Sequence, residues 1–137
     1  MFIPNQVLFD QAKNVISKSY SPYSKFKVSA SLVAENGKIY SGVNIENASY
    51  PCGICAEGSA IAAMVTDGAK VIKELLVMVD HNITTKECTP CGLCRQRIRE
   101  FAAEDLPIHL CNTEKYFKTV TLNDLLYMSF GPDNMEK

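Results

Sequence analysis

Apolar positions near the start of the chain recur at helical spacing. After Pro4 and Asn5, the residues Leu8, Ala12, Val15 and Ile16 fall on one face, which predicts an amphipathic opening helix. Ser21-Pro22-Tyr23-Ser24 ends it. From Phe26 the period changes to two: Phe26, Val28, Ala30 and Leu32 alternate with Lys27, Ser29 and Ser31, the pattern of a strand with one buried face. Asn36-Gly37 is a hairpin turn, and residues 38–45 (KIYSGVNI) form its partner strand. The alanine-rich run 56–67 (AEGSAIAAMVTD), stopped by Gly68, predicts a helix. Residues 71–79 form an apolar, β-branched run of strand length, as expected for a central strand buried on both sides. A helix follows over 92–103 with Leu93, Ile98, Phe101 and Ala102 as its apolar side, then strands at 107–112 and 115–120. Thr121 with Asp124 resembles the cap of a last helix. The order α-β-β-α-β-α-β-β-α places helices on both faces of a mixed sheet, an α/β fold.

Composition narrows the class without naming it. A chain of 137 residues with 47% apolar and 21% charged side chains reads as a single globular domain spanning 1–137. No apolar run approaches the length of a membrane span, so no membrane partner is expected. The opening MFIPNQVLFDQAK lacks a basic n-region and a small-residue cleavage site, which leads to the expectation of a cytoplasmic protein without a secretory signal. A formal charge of −1 provides no field to recruit nucleic acid, and no nucleic-acid partner is expected. In a reducing compartment the six cysteines, at 52, 55, 88, 91, 94 and 111, point to metal binding or catalysis rather than disulfides.

Two of the cysteine pairs sit in near-identical turns, PCGIC (51–55) and PCGLC (90–94), and each feeds a predicted helix. Free N–H groups and the dipole at a helix N-terminus stabilise thiolates, the form a metal needs. Spacing alone leaves two readings open. Zinc held by Cys52, Cys55, Cys91 and Cys94 would be a closed, structural site; zinc held by three cysteines would keep a fourth position for water. Glu57, an acid at the start of a helix built mostly of small apolar residues, has a task only in the second reading, as a carrier of that water's proton.

Cys-Ala-Glu at 55–57 with Pro-Cys-Gly-Leu-Cys at 90–94 resembles the zinc-dependent nucleoside deaminases, specifically the small cytidine deaminases. NIENASYP (44–51), PYSKF (22–26), CRQ (94–96) with REF (99–101), and SFGP (129–132) resemble further stretches of that family, so the likeness spans most of the chain. The resemblance implies a three-layer α/β/α fold around a mixed sheet of about five strands, and one zinc ion per subunit held by Cys55, Cys91 and Cys94. It implies Glu57 as proton shuttle, with Phe26, Asn44, Glu46 and Ala56 binding substrate: Phe26 stacks on the base, while Asn44 and Glu46 hold the ribose. It also implies a homotetramer with shared sites, to which neighbouring subunits bring Ala48, Tyr50 and Phe130. The implied reaction is hydrolytic deamination of cytidine and 2'-deoxycytidine to uridine and 2'-deoxyuridine with release of ammonia, for pyrimidine salvage. A zinc-activated water adds to C4 while Glu57 moves protons.

The chain departs from the family at Gly58, where many relatives carry an arginine that offsets thiolate charge; Arg95 is the nearest substitute in sequence. Arg95 and Arg99 share a helical face and Arg97 points away, a mixed surface rather than a phosphate strip. Cys52, Cys88 and Cys111 read as plain thiols, and His81 and His109 as isolated. Three alternatives remain beside plain cytidine deamination: another aminopyrimidine nucleoside of the blasticidin type, a polynucleotide-editing enzyme, and a non-catalytic four-cysteine zinc module. The short, nearly neutral chain lacks the basic, aromatic channel of a polynucleotide enzyme.

Overall fold

A computed structural model describes residues 1–136. Helix α1 (Gln6–Val15) starts at Asn5, whose side chain accepts the N–H of Leu8, so the opening signal read from Pro4-Asn5 is a true cap. Strands β1 (Val28–Ala34) and β2 (Ile39–Val43) form the expected hairpin, with Gly37 at φ +78° in the turn. After α2 (Ala56–Thr66) come β3 (Ile72–Val79), α3 (Gly92–Phe101), β4 (Pro107–Asn112), β5 (Tyr116–Thr121) and the short α4 (Leu122–Leu125). Thr121 and Asp124 form a reciprocal capping box at α4.

The five strands pair in the order β2-β1-β3-β4-β5, with β3 and β4 parallel and every other pair antiparallel. One face of the sheet is covered by α1, through Leu8, Phe9, Ala12 and Ile16 against Leu76, Met78 and Cys111. The other carries the larger core, where Ala60, Ile61 and Met64 of α2 and Ile98 of α3 meet Leu32, Leu75, Val77, Ile108 and Leu110. Three layers result, α/β/α, as expected. Among the described residues no helix is long and apolar enough to cross a membrane.

Two expectations change. Strand β1 is not half-exposed, because Ser29 and Ser31 are fully buried under α1. Their hydroxyls donate to the carbonyls of Ala12 (2.8 Å) and Leu8 (2.6 Å), so a polar stripe is accommodated in a core by bonding to a helix backbone. On α3, Leu93 is 59% exposed, while Cys94 and Arg99 face inward with Ile98. Chemistry at the helix start, not hydrophobicity, sets which side of its first turn is buried.

Helix α2 lies unusually close to the sheet edge. A side chain at Gly42 would come within 2.7 Å of the Ala56 carbonyl and 2.6 Å of Ser59 Cβ, so only glycine lets the strand and helix meet. Ser59 fastens the contact by donating to the Val43 carbonyl at 2.9 Å. This seats the N-terminus of α2 directly beside the exit of β2.

Candidate metal centre and active-site cavity

Both cysteine turns end at helix N-termini, in different registers. Cys55 is the residue that caps α2 and Cys91 the one that caps α3; each has extended backbone (φ −77°, ψ 159° and φ −66°, ψ 165°) and no side-chain capping bond. Their carbonyls take the first helical bonds, from Ser59 (3.1 Å) and Arg95 (2.9 Å), which leaves both thiols free to turn outward. Cys94 lies three residues into α3 and is buried. The sulfurs of Cys55, Cys91 and Cys94 all fall within 4.8 Å of one another, and those of Cys55 and Cys91 are 3.7 Å apart. Two thiolates on a tetrahedral zinc with bonds of about 2.3 Å stand about 3.8 Å apart, so the three side chains fit one zinc ion. Among the described residues this is the one such cluster. Cys52, in a 3-10 turn (Tyr50–Cys52), and Cys88 are outside it.

The cluster is electrostatically tight. The hydrogen bond with Cys94 draws the Cys55 thiol down to about 6 against the cost of burial, helped by Cys91 and the positive Arg97; the same bond, with burial, pushes the Cys94 thiol up. Glu57, the second residue of α2, is 3% exposed. Burial raises its carboxyl to about 7 and the nearby Cys55 thiolate adds to the rise, while Cys94 and Arg97 pull the other way. A carboxyl half-protonated near neutral pH both accepts and returns a proton.

A cavity of about 770 Å³ opens in front of this group, well within the range of small-molecule sites. Cys55, Ala56, Glu57 and Cys91 line it together with Phe26, Asn44, Glu46 and Tyr50. Phe26 stands just before β1 rather than on it, after Lys25 at φ +62°, and is partly buried. Asn44 works as a local hub: its Oδ1 accepts from the Val28 N–H (3.0 Å) and the Ser19 hydroxyl, and its Nδ2 donates to the Phe26 carbonyl (2.7 Å). One amide hydrogen is left for a ligand. Glu46 accepts the N–H groups of Tyr23 and Ser24 with one oxygen; Ser24 and Tyr23 hold its carboxyl below the usual range, and its other oxygen is free to take a hydroxyl.

Ala48 and Phe130 do not line this cavity; both are exposed. Tyr50, which the resemblance assigns to a neighbouring subunit's site, lines the cavity of its own chain and packs edge-on against Tyr23, ring centres 6.0 Å apart. Tyr23 escaped the sequence reading although it lies inside PYSKF, and Cys88 and Thr89 also line the wall. Arg95 is not the charge partner its proximity implied. Its guanidinium donates to the carbonyls of Pro90 and Leu125 (2.7 Å each) and to Thr89 Oγ1 (2.8 Å), bracing the loop before α3. Arg97, read as surface, is the residue whose charge reaches Cys55 and Glu57.

Residues 4–110 match a family model described as the cytidine and deoxycytidylate deaminase zinc-binding region. Among curated proteins, the chain is 45% identical over 119 residues to a cytidine deaminase of Mycoplasma pneumoniae, covering 86% of this chain and 87% of that one. It is 39% identical to a cytidine deaminase of Sporosarcina psychrophila, over 93% and 92% of the two chains. Among solved structures, the cytidine deaminase of Burkholderia pseudomallei superposes with a TM-score of 0.85 at 34% identity, covering 93% of this chain and all of the other.

Proposed function

The chain belongs to the cytidine and deoxycytidylate deaminase family, and from that premise we infer how its own residues divide the work. It is a zinc-dependent enzyme that deaminates cytidine hydrolytically. In our reading the whole chain, 1–137, acts as one deaminase domain, accepts 2'-deoxycytidine as well as cytidine, and serves pyrimidine salvage in the cytoplasm. Cys55, Cys91 and Cys94 hold the zinc. Phe26 lies against the base, Asn44 donates its remaining amide hydrogen and Glu46 offers its free oxygen to the sugar hydroxyls, and Ala56 forms the floor beneath the ring.

Bound at the three thiols, zinc supplies an acidified water. Glu57 accepts the proton of the attacking water and delivers it to ring N3, which makes C4 electrophilic. With the water oxygen now bonded to C4, Glu57 takes that oxygen's remaining proton and passes it to the exocyclic nitrogen; the C4–N bond breaks as the C4 carbonyl forms, and ammonia leaves. One carboxyl serves as base and acid, a double task that its burial favours by easing protonation. The burial of Glu57 beside three clustered thiols is the observation that carries this reading. A homotetramer, with Ala48 and Phe130 completing neighbouring cavities and Tyr50 set between its own cavity and the next, is supported by the exposure of the large apolar side chains Tyr50, Tyr127, Met128 and Phe130.

The test offers zinc-loaded protein cytidine, 2'-deoxycytidine and a blasticidin-type aminopyrimidine nucleoside in competition, and follows ammonia release. Turnover of both plain nucleosides ahead of the antibiotic is the expected result. Preference for the antibiotic would replace the substrate assignment.

A further inference from the structure

The geometry points to Arg97 as the positioning residue that balances the charge of the three-thiolate metal site, seated in room that only glycine at position 58 leaves. The three arginines of α3 divide cleanly. Arg95 braces the loop before the helix, and Arg99 is buried with its guanidinium on Ser129 (2.9 Å) and Asp133 (2.6 Å). Arg97 differs from both: its Nη1 is sheltered from solvent, and among the described residues it has no hydrogen-bond partner. A buried guanidinium N–H without a partner is costly, and its presence calls for an acceptor.

The surroundings are rich in negative charge. Three thiolates outweigh a divalent ion by one negative charge, and Arg97 follows Cys94 by three residues on α3, on the same face, with its Nη1 beside Gly58 at the start of α2. Gly58 follows Glu57 directly on α2. A Cβ there would stand 2.9 Å from Arg97 Nη1 and 3.1 Å from Ile54 Cγ1. Gly58 and Arg97 are therefore reciprocal: the missing side chain on one helix is the seat of the guanidinium from the other. Groups just outside a metal's ligands orient them and tune the ion, and their loss commonly costs about 10–100-fold in affinity.

This inference rests on the zinc site proposed above, and its test separates the two. Zinc-loaded wild type, Arg97→Met, Arg97→Lys and Gly58→Ala are mixed with excess chromogenic chelator and the rate of zinc release is followed, with circular dichroism to confirm folding. Arg97→Met should release zinc about ten-fold faster than wild type, and Arg97→Lys, which keeps the charge, only a few-fold faster. Met and Lys variants that behave alike overturn the proposal: both slow would deny Arg97 any influence, and both fast would assign it to packing. Should Arg97→Met fail to fold, Gly58→Ala reads the same contact with the arginine intact. Alanine favours the helix, yet it should quicken release by displacing Nη1; release at the wild-type rate would overturn the shared seat. Cytidine turnover by wild type is recorded in parallel. An inert wild type that binds zinc would defeat the deaminase reading and leave the release comparison standing.

Discussion

The two Cys-Gly-X-Cys turns share their lettering and differ in what they give the site. The first, 52–55, ends on the residue that caps α2; the second, 91–94, begins on the residue that caps α3. The first therefore contributes only its last cysteine, and its Cys52 stays in the preceding 3-10 turn, exposed and apart. The second contributes both, because its Cys94 lies three residues into the helix, turned inward. One residue earlier on each helix the contrast repeats: Glu57 on α2 is buried beside the thiols, while Leu93 on α3 is exposed. At the place where α3 carries Cys94, α2 carries Gly58, into whose space Arg97 reaches. Register against the helix, not spacing between cysteines, decides which sulfurs come together. The offset between the turns makes a three-thiol site with room for an acid.

Substitutions in three regions probe that contrast. The largest effect falls on zinc content: Cys94→Ser should lose the metal and all activity, while Cys52→Ser keeps one zinc per chain with turnover unchanged, as read by metal analysis and an activity assay. A Cys52 variant that lost its zinc would restore the closed four-cysteine site. Next comes the seating of α2. Gly42→Ala forces a side chain into helix backbone and should destabilise the fold by about 1–3 kcal/mol, read by urea unfolding, with activity falling as the N-terminus of α2 shifts. An equivalent change at Gly92, where nothing crowds the position, should leave the fold intact. The smallest effect lies on the face away from the site. Ser31→Ala removes the hydroxyl bond to the Leu8 carbonyl and should cost about 1 kcal/mol of stability with zinc retention unchanged.

Much of the fold was legible in one dimension because periodicity and caps report it directly: Asn5, Asn36-Gly37, Gly68 and Thr121 all mark real boundaries. The serines of β1 misled because alternation detects polarity, and their partners on α1 are remote in sequence. In the site, Cys55, Glu57, Cys91 and Cys94 could be singled out because helix starts are local events. Arg97 could not: its meaning depends on an absent side chain nearly forty residues away, at Gly58. Asn44 was visible as a candidate sugar contact, but its hub role, holding Phe26, Val28 and Ser19 at once, is a property of the folded chain alone.

The central claim is an open three-cysteine site whose proton carrier is Glu57. It is tested most directly by following the ultraviolet change as cytidine becomes uridine, for wild type beside Glu57→Gln, with zinc content measured on the same samples. Both proteins should hold full zinc, and the variant should lose about 10²–10⁴-fold in turnover. A zinc-loaded Glu57→Gln that turns over cytidine at the wild-type rate would contradict it.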